Sequence, residues 1–91
     1  MAKLYVEMIS IDDMMVFTKV VETQSFTKAA EQLGIGKARV SQIVTKLEQG
    51  LNTRLLHRAT RSLSLTDTGV RYCKKCQMIH DLAIQANTKV Q

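Results

Sequence analysis

The sequence predicts a mainly α fold, a winged helix-turn-helix of three helices and a two-stranded β-hairpin, followed by a long C-terminal helix. Three observations carry this. Residues 25–48 hold two amphipathic stretches split by Gly34-Ile35-Gly36, the pattern of a helix-turn-helix. Two short segments, 54–58 and 62–65, follow it with Ala59-Thr60-Arg61 between them, as a hairpin wing would. Beyond them Tyr72, Cys76, Ile79, Ala83, Ala86 and Val90 recur at alternating spacings of four and three, a heptad-like seam. The organisation is then an N-terminal extension at 1–7, the winged helix-turn-helix at 8–65 and the terminal helix at 66–91.

Taken in order, Ser10 can cap a first helix, with Asp12 and Asp13 complementing the positive end of its dipole. Ile11, Met14, Phe17 and Val21 are its expected core face. Ser25 caps the second helix, and Phe26, Ala29, Ala30 and Leu33 share one side of it. The paired alanines permit close approach of a crossing helix. The third helix carries its apolar stripe at Val40, Val44, Leu47 and Leu51 and runs to about Gln49, with Gly50 and Asn52 as the stop. The alternation Ser62-Leu63-Ser64-Leu65 suits a strand with one buried face, and Thr66 caps the last helix.

Composition sets the limits. A chain of 91 residues, 45% hydrophobic, makes one small domain with an appended helix. Two Phe, two Tyr and no Trp leave an aliphatic core with Met as filler, and the absence of Pro favours helices. The net charge of +5 is unevenly spread: residues 28–75 hold ten Lys or Arg against three acidic groups, whereas residues 1–27 are net acidic. A basic middle implies a polyanionic partner, with double-stranded DNA expected first. No apolar run approaches the roughly 18–20 residues that span a bilayer, and Met1–Asp13 lacks the apolar stretch of a signal peptide. The expectation is a cytoplasmic protein with no membrane partner.

The face of the third helix opposite its apolar stripe is the most informative. Lys37, Ala38, Ser41 and Gln42 lie on its N-terminal half, where a recognition helix meets base edges. Lysine and glutamine can pair with guanine and adenine, and the alanine methyl can touch thymine. Ser25, Thr27, Arg39, Thr45, Lys46, Arg58, Thr60 and Arg61 are candidates for phosphate or minor-groove contacts. The competing reading of the helix face is plain solvation.

On the last helix, a seam of that length is expected to pack on a second copy in a two-fold dimer. Cys73, Cys76 and His80 share the helix, with Lys74 and Lys75 between the cysteines. No fourth metal ligand is apparent, so the cysteines read as small packing residues and no metal or cofactor is expected. No carboxylate pair or glycine-rich phosphate loop is present, and the chain does not read as an enzyme.

The same residues resemble the DNA-binding domain of LysR-type transcriptional regulators. The likeness runs from Ile11 to Gly69 through Phe17 with Val21, Ser25–Leu33, Val40-Ser41, Leu47-Glu48, Arg54–Arg58, Thr60-Arg61 and Leu65–Gly69. The resemblance implies a bacterial transcription factor that binds operator DNA as a dimer through a linker helix. RNA polymerase or a full-length regulator are the further partners it implies, and the bacterial nucleoid is the location. Gly36-Lys37-Ala38 replaces the family's usual Ser-Gln start followed by Pro, Ser or Ala. Arg39 and Gln42 stand where a small apolar residue and Arg are favoured, and Asn52 replaces a helix-ending glycine. Such regulators continue into an effector-binding domain, so an excised domain and a natural short form are both compatible with these 91 residues. A different class of function is a stand-alone module that forms mixed dimers with a full-length regulator and inhibits it.

Overall fold

A computed structural model describes residues 9–58 and 62–88. Helices α1 (Ile11–Thr23), α2 (Phe26–Leu33) and α3 (Lys37–Leu51) pack on one another. Strands β1 (Leu56–Arg58) and β2 (Leu63–Leu65) then pair antiparallel, with His57 opposite Ser64, and α4 (Asp67–Thr88) closes the chain. The turn residues 59–61 lie outside the described residues, and with them Thr60 and Arg61.

The helix ends follow local chemistry. The Ser10 hydroxyl accepts the Asp13 amide at 3.1 Å, and the Ser25 hydroxyl accepts the Lys28 amide at 3.0 Å. α2 ends at Gly34, whose φ of 71° lets the amides of Gly34 and Ile35 return to Glu31 and Ala30. α3 ends the same way at Asn52, with φ 54° and the Thr53 amide 3.0 Å from the Glu48 carbonyl. The substitution of Asn for glycine is thus accommodated in the left-handed region. Gly50 is no part of the stop: it is buried inside α3, which continues to Leu51.

The core is aliphatic: Val16, Val20, Ala29, Ala30, Val40, Ile43, Val44, Leu47, Leu55 and Leu56 surround Phe17. On α1 the buried face is rotated from the expected one. Ile11 is 54% exposed, whereas Val16 and Val20 are buried beside Phe17. The reason is that α1 is covered from several sides, by α2, α3 and α4, rather than by a single neighbour.

α4 begins under the wing. The Thr66 hydroxyl donates to the Arg54 carbonyl at 2.7 Å and accepts the Gly69 amide at 2.9 Å. Gly69 packs so close to the residue preceding β1 that a Cβ would collide with the Leu55 carbonyl oxygen. One turn on, Tyr72 tilts against Phe17 with ring centroids 5.6 Å apart, and Cys73 and Cys76 are buried in the same core. This corrects the expected seam: Tyr72 and Cys76 pack inside the protomer, because α1 already covers that side of α4. Ile79 and Ala83 are half-buried, Ala86 is exposed, and Val90 lies outside the described residues. The large exposed apolar side chains of α4 are Val70, Met78, Leu82 and Ile84.

Candidate nucleic-acid interface

The N-terminal half of α3 turns its side chains outward. Lys37, Ala38, Arg39 and Gln42 are exposed and Ser41 and Thr45 half-buried, while Val40 alone of residues 37–42 is fully inside. Gly36 occupies the N-cap without a side-chain hydrogen bond, so the first-turn amides and the positive end of the helix dipole face outward. The departure from a Ser-Gln start therefore leaves a more open and more cationic helix end. At the start of α2, the Ser25 hydroxyl accepts the Lys28 amide and can still donate its own proton outward, and Thr27 is exposed beside it.

Two of the expected phosphate-contact residues are exposed and form ion pairs within the protomer. Lys46 Nζ lies 3.1 Å from Asp13 Oδ2, joining α3 to α1. Arg58 donates to Glu48 Oε1 at 3.0 Å, and its guanidinium lies over the Phe26 ring at 5.7 Å. The other oxygen of Glu48 accepts the backbone amides of Leu55 and Leu56 at 2.9 and 3.2 Å. One carboxylate thus fixes the base of the wing to α3. Lys28, Lys37, Arg39 and Arg54 make no ion pair among the described residues.

The sequence assigns Asp13 to the helix dipole alone and gives Glu48 no role of its own, so the two ion pairs are findings of the structure. The signal was there for Glu48: it stands four residues after Val44, on the apolar stripe itself, and a charge on a buried stripe requires a partner.

Both cysteines are free thiols buried in the core. Burial pushes the Cys73 thiol up, with the Glu22 carboxylate adding to it, and burial with the neighbouring Cys73 raises Cys76 to about 11. Lys74 and Lys75 are exposed on the helix and do not offset this. Among the described residues no three or more of His, Cys, Asp and Glu gather as a metal site would require. No described helix is long and apolar enough to cross a membrane.

The family model for bacterial regulatory helix-turn-helix proteins of the lysR family matches residues 11–70. The chain belongs to the LysR family. Its similarity to an HTH-type transcriptional repressor of Pseudomonas aeruginosa is 56% identity over 66 residues, covering 72% of this chain and 21% of the relative. The transcriptional regulator CrgA of Neisseria meningitidis is 43% identical over 79 residues, covering 87% of this chain and 26% of CrgA. The chain therefore spans about a quarter or less of the length of these LysR-type relatives. In structure it is similar to the BenM DNA-binding domain solved in a complex with catB site 1 DNA. That likeness has a TM-score of 0.86 at 30% identity and covers 89% of this chain and 91% of the BenM domain. The full-length virulence activator AphB of Vibrio cholerae, also of the LysR type, superposes with a TM-score of 0.79 at 32% identity, over 89% of this chain and 28% of AphB. The winged helix-turn-helix is thus the family's DNA-binding domain fold.

Proposed function

We propose that this domain binds operator DNA as a symmetric dimer, with the first turns of α3 in the major groove, and serves a bacterial transcriptional regulator in the cytoplasm. The observation that carries the reading is the outward N-terminal half of α3. Lys37, Ala38, Ser41 and Gln42 stand on an unobstructed helix end beside Arg39, while the cations nearer the core are held by carboxylates. Lys37 donates to guanine, Gln42 pairs with adenine and Ala38 touches a thymine methyl. Ser25, Thr27 and Thr45 contribute contacts to phosphates, and Thr60 and Arg61 reach them or the minor groove from the wing tip. Contacts with RNA polymerase belong to the whole regulator.

Support for the dimer comes from the second half of α4. Met78 and Leu82 are each 62% exposed and stand one turn apart, beside half-buried Ile79 and Ala83. An unpartnered apolar face of this kind is satisfied by a second copy.

The test is selection of bound sequences from a random duplex library, followed by titration of the winner at several salt concentrations. A two-fold symmetric motif is expected, with log affinity falling against log salt by about 0.9 for each phosphate contact. Affinity that is nearly flat with salt would overturn the reading. Leu82→Glu with Met78→Glu should give a monomer by sedimentation and reduce binding to half-sites. A wild-type chain that sediments as a monomer at high concentration would remove the dimer.

A further inference from the structure

A cleft of about 440 Å³ opens between the C-terminal half of α3 and the segment leading into β1, lined by Thr45, Glu48, Gln49, Asn52, Arg54 and Arg58 among others. Its polar side chains include several donors, from Thr45, Gln49, Asn52 and Arg54. The Glu48 carboxylate is already occupied, by the amides of Leu55 and Leu56 and by the Arg58 guanidinium. The charge of Arg58 is offset there. Arg54, exposed and without an ion pair among the described residues, leaves the cleft net positive. The amides of Gln49 and Asn52 and the Thr45 hydroxyl complete a wall that suits an anion with several oxygens.

The cleft also continues the reading face. Ala38, Gln42, Thr45, Gln49 and Asn52 follow one another along α3 at alternating spacings of four and three. At about 100° per residue they stay within one arc of the helix. Gln49 lies about 10 Å along the axis from Gln42. A helix lying in the groove with its first turns on base edges carries this face about two turns further on, toward the flanking backbone. We propose that the cleft seats a backbone phosphate of the bound duplex, with Arg54 supplying the charge and Gln49 and Thr45 the hydrogen bonds. The proposal rests on the DNA-binding reading above and adds a site to it.

Arg54→Gln is a clean probe, since the backbone carbonyl of Arg54, not its side chain, accepts the Thr66 hydroxyl. The thermal midpoint should be unchanged. With the duplex selected by the wild-type domain, the slope of log affinity against log salt should become shallower by about 0.9 per bound protomer. Arg54→Lys should restore it. Phosphate-ethylation interference should lose one position per half-site, and the selected base motif should stay the same. If the wild-type domain binds no duplex, the proposed function fails and the phosphate seat with it. If the wild type binds and Arg54→Gln leaves slope and ethylation pattern unchanged, the seat alone is overturned. A changed base motif with an unchanged slope would also overturn it, by making Arg54 a base reader.

Discussion

The two halves of α3 belong to one continuous helix and have opposite surroundings. From Lys37 to Gln42, one residue of six, Val40, is fully buried, and the cap carries no side-chain bond. From Ile43 to Leu51, Ile43, Val44, Leu47, Glu48 and Gly50 are buried, and both charged side chains are paired. Cations near the core are matched by carboxylates that join the elements, and Lys37 and Arg39 at the helix start make no ion pair among the described residues. A cation in this fold can be assigned to one task by asking whether a carboxylate already holds it.

The largest effect should come from breaking the C-terminal half at Glu48. Glu48→Ala removes the acceptor of two backbone amides and the partner of Arg58 at once. Uncoupling a buried ion pair costs about 3–5 kcal/mol, and the lower end applies because the Arg58 side chain is 33% exposed. Glu48→Gln keeps an oxygen for the amides and gives up the charge, so about 1–2 kcal/mol is expected. Urea unfolding followed by circular dichroism measures both. Equal losses for the two variants would mean that charge, not backbone capture, holds the wing. A loss below about 1 kcal/mol for Glu48→Ala would dissolve the contrast between the halves.

What was legible beforehand follows the range of each interaction. The caps at Ser10, Ser25 and Thr66 and the left-handed stops at Gly34 and Asn52 are decided within a few residues, and each lies where the sequence reading put it. The apolar stripe of α3 was legible for the same reason, because it repeats within one helix. Two kinds of feature were not. Periodicity reports that a face is covered but not by what, so Tyr72 and Cys76 read as an intersubunit seam and prove to be the protomer's own core. The Lys46–Asp13 and Arg58–Glu48 pairs close over 33 and 10 residues, and even where a charge on the apolar stripe calls for a partner, as at Glu48, the sequence does not say which cation supplies it. The outward residues Lys37, Ala38, Arg39 and Gln42 were found because their positions follow from helix geometry alone. That Arg54 and Gln49 line one cleft was not legible, because the cleft exists only once the segment leading into β1 folds back beside α3.

The N-terminal half should respond in the opposite way. Lys37→Gln should leave stability within about 0.5 kcal/mol of wild type, since the side chain is exposed. It should change the preferred base at one position of each half-site, with a discrimination of about 1–3 kcal/mol. Random-library selection with the variant reads this directly. Weaker binding with an unchanged motif would make Lys37 a phosphate contact and move specificity to Ser41 and Gln42.

Lys46 sharpens the comparison because it stands near the boundary between the halves. Its side chain is 53% exposed, while that of its partner Asp13 is 13% exposed, so the pair is wet on one side and dry on the other. An exposed pair contributes about 0–1 kcal/mol, and the dry carboxylate places this one near the upper end. If Lys46 serves the fold, Lys46→Ala should lower stability by about 1 kcal/mol. The salt slope of DNA binding should then stay at the wild-type value. If it serves the partner, stability should hold and the slope should become shallower by about 0.9 per protomer. The 3.1 Å contact favours the first outcome, because a phosphate would have to draw the ammonium away from Asp13 and leave a nearly buried carboxylate without its cation. A shallower slope at unchanged stability would place Lys46 with Lys37 and Arg39, and the division of labour would begin one turn further along α3.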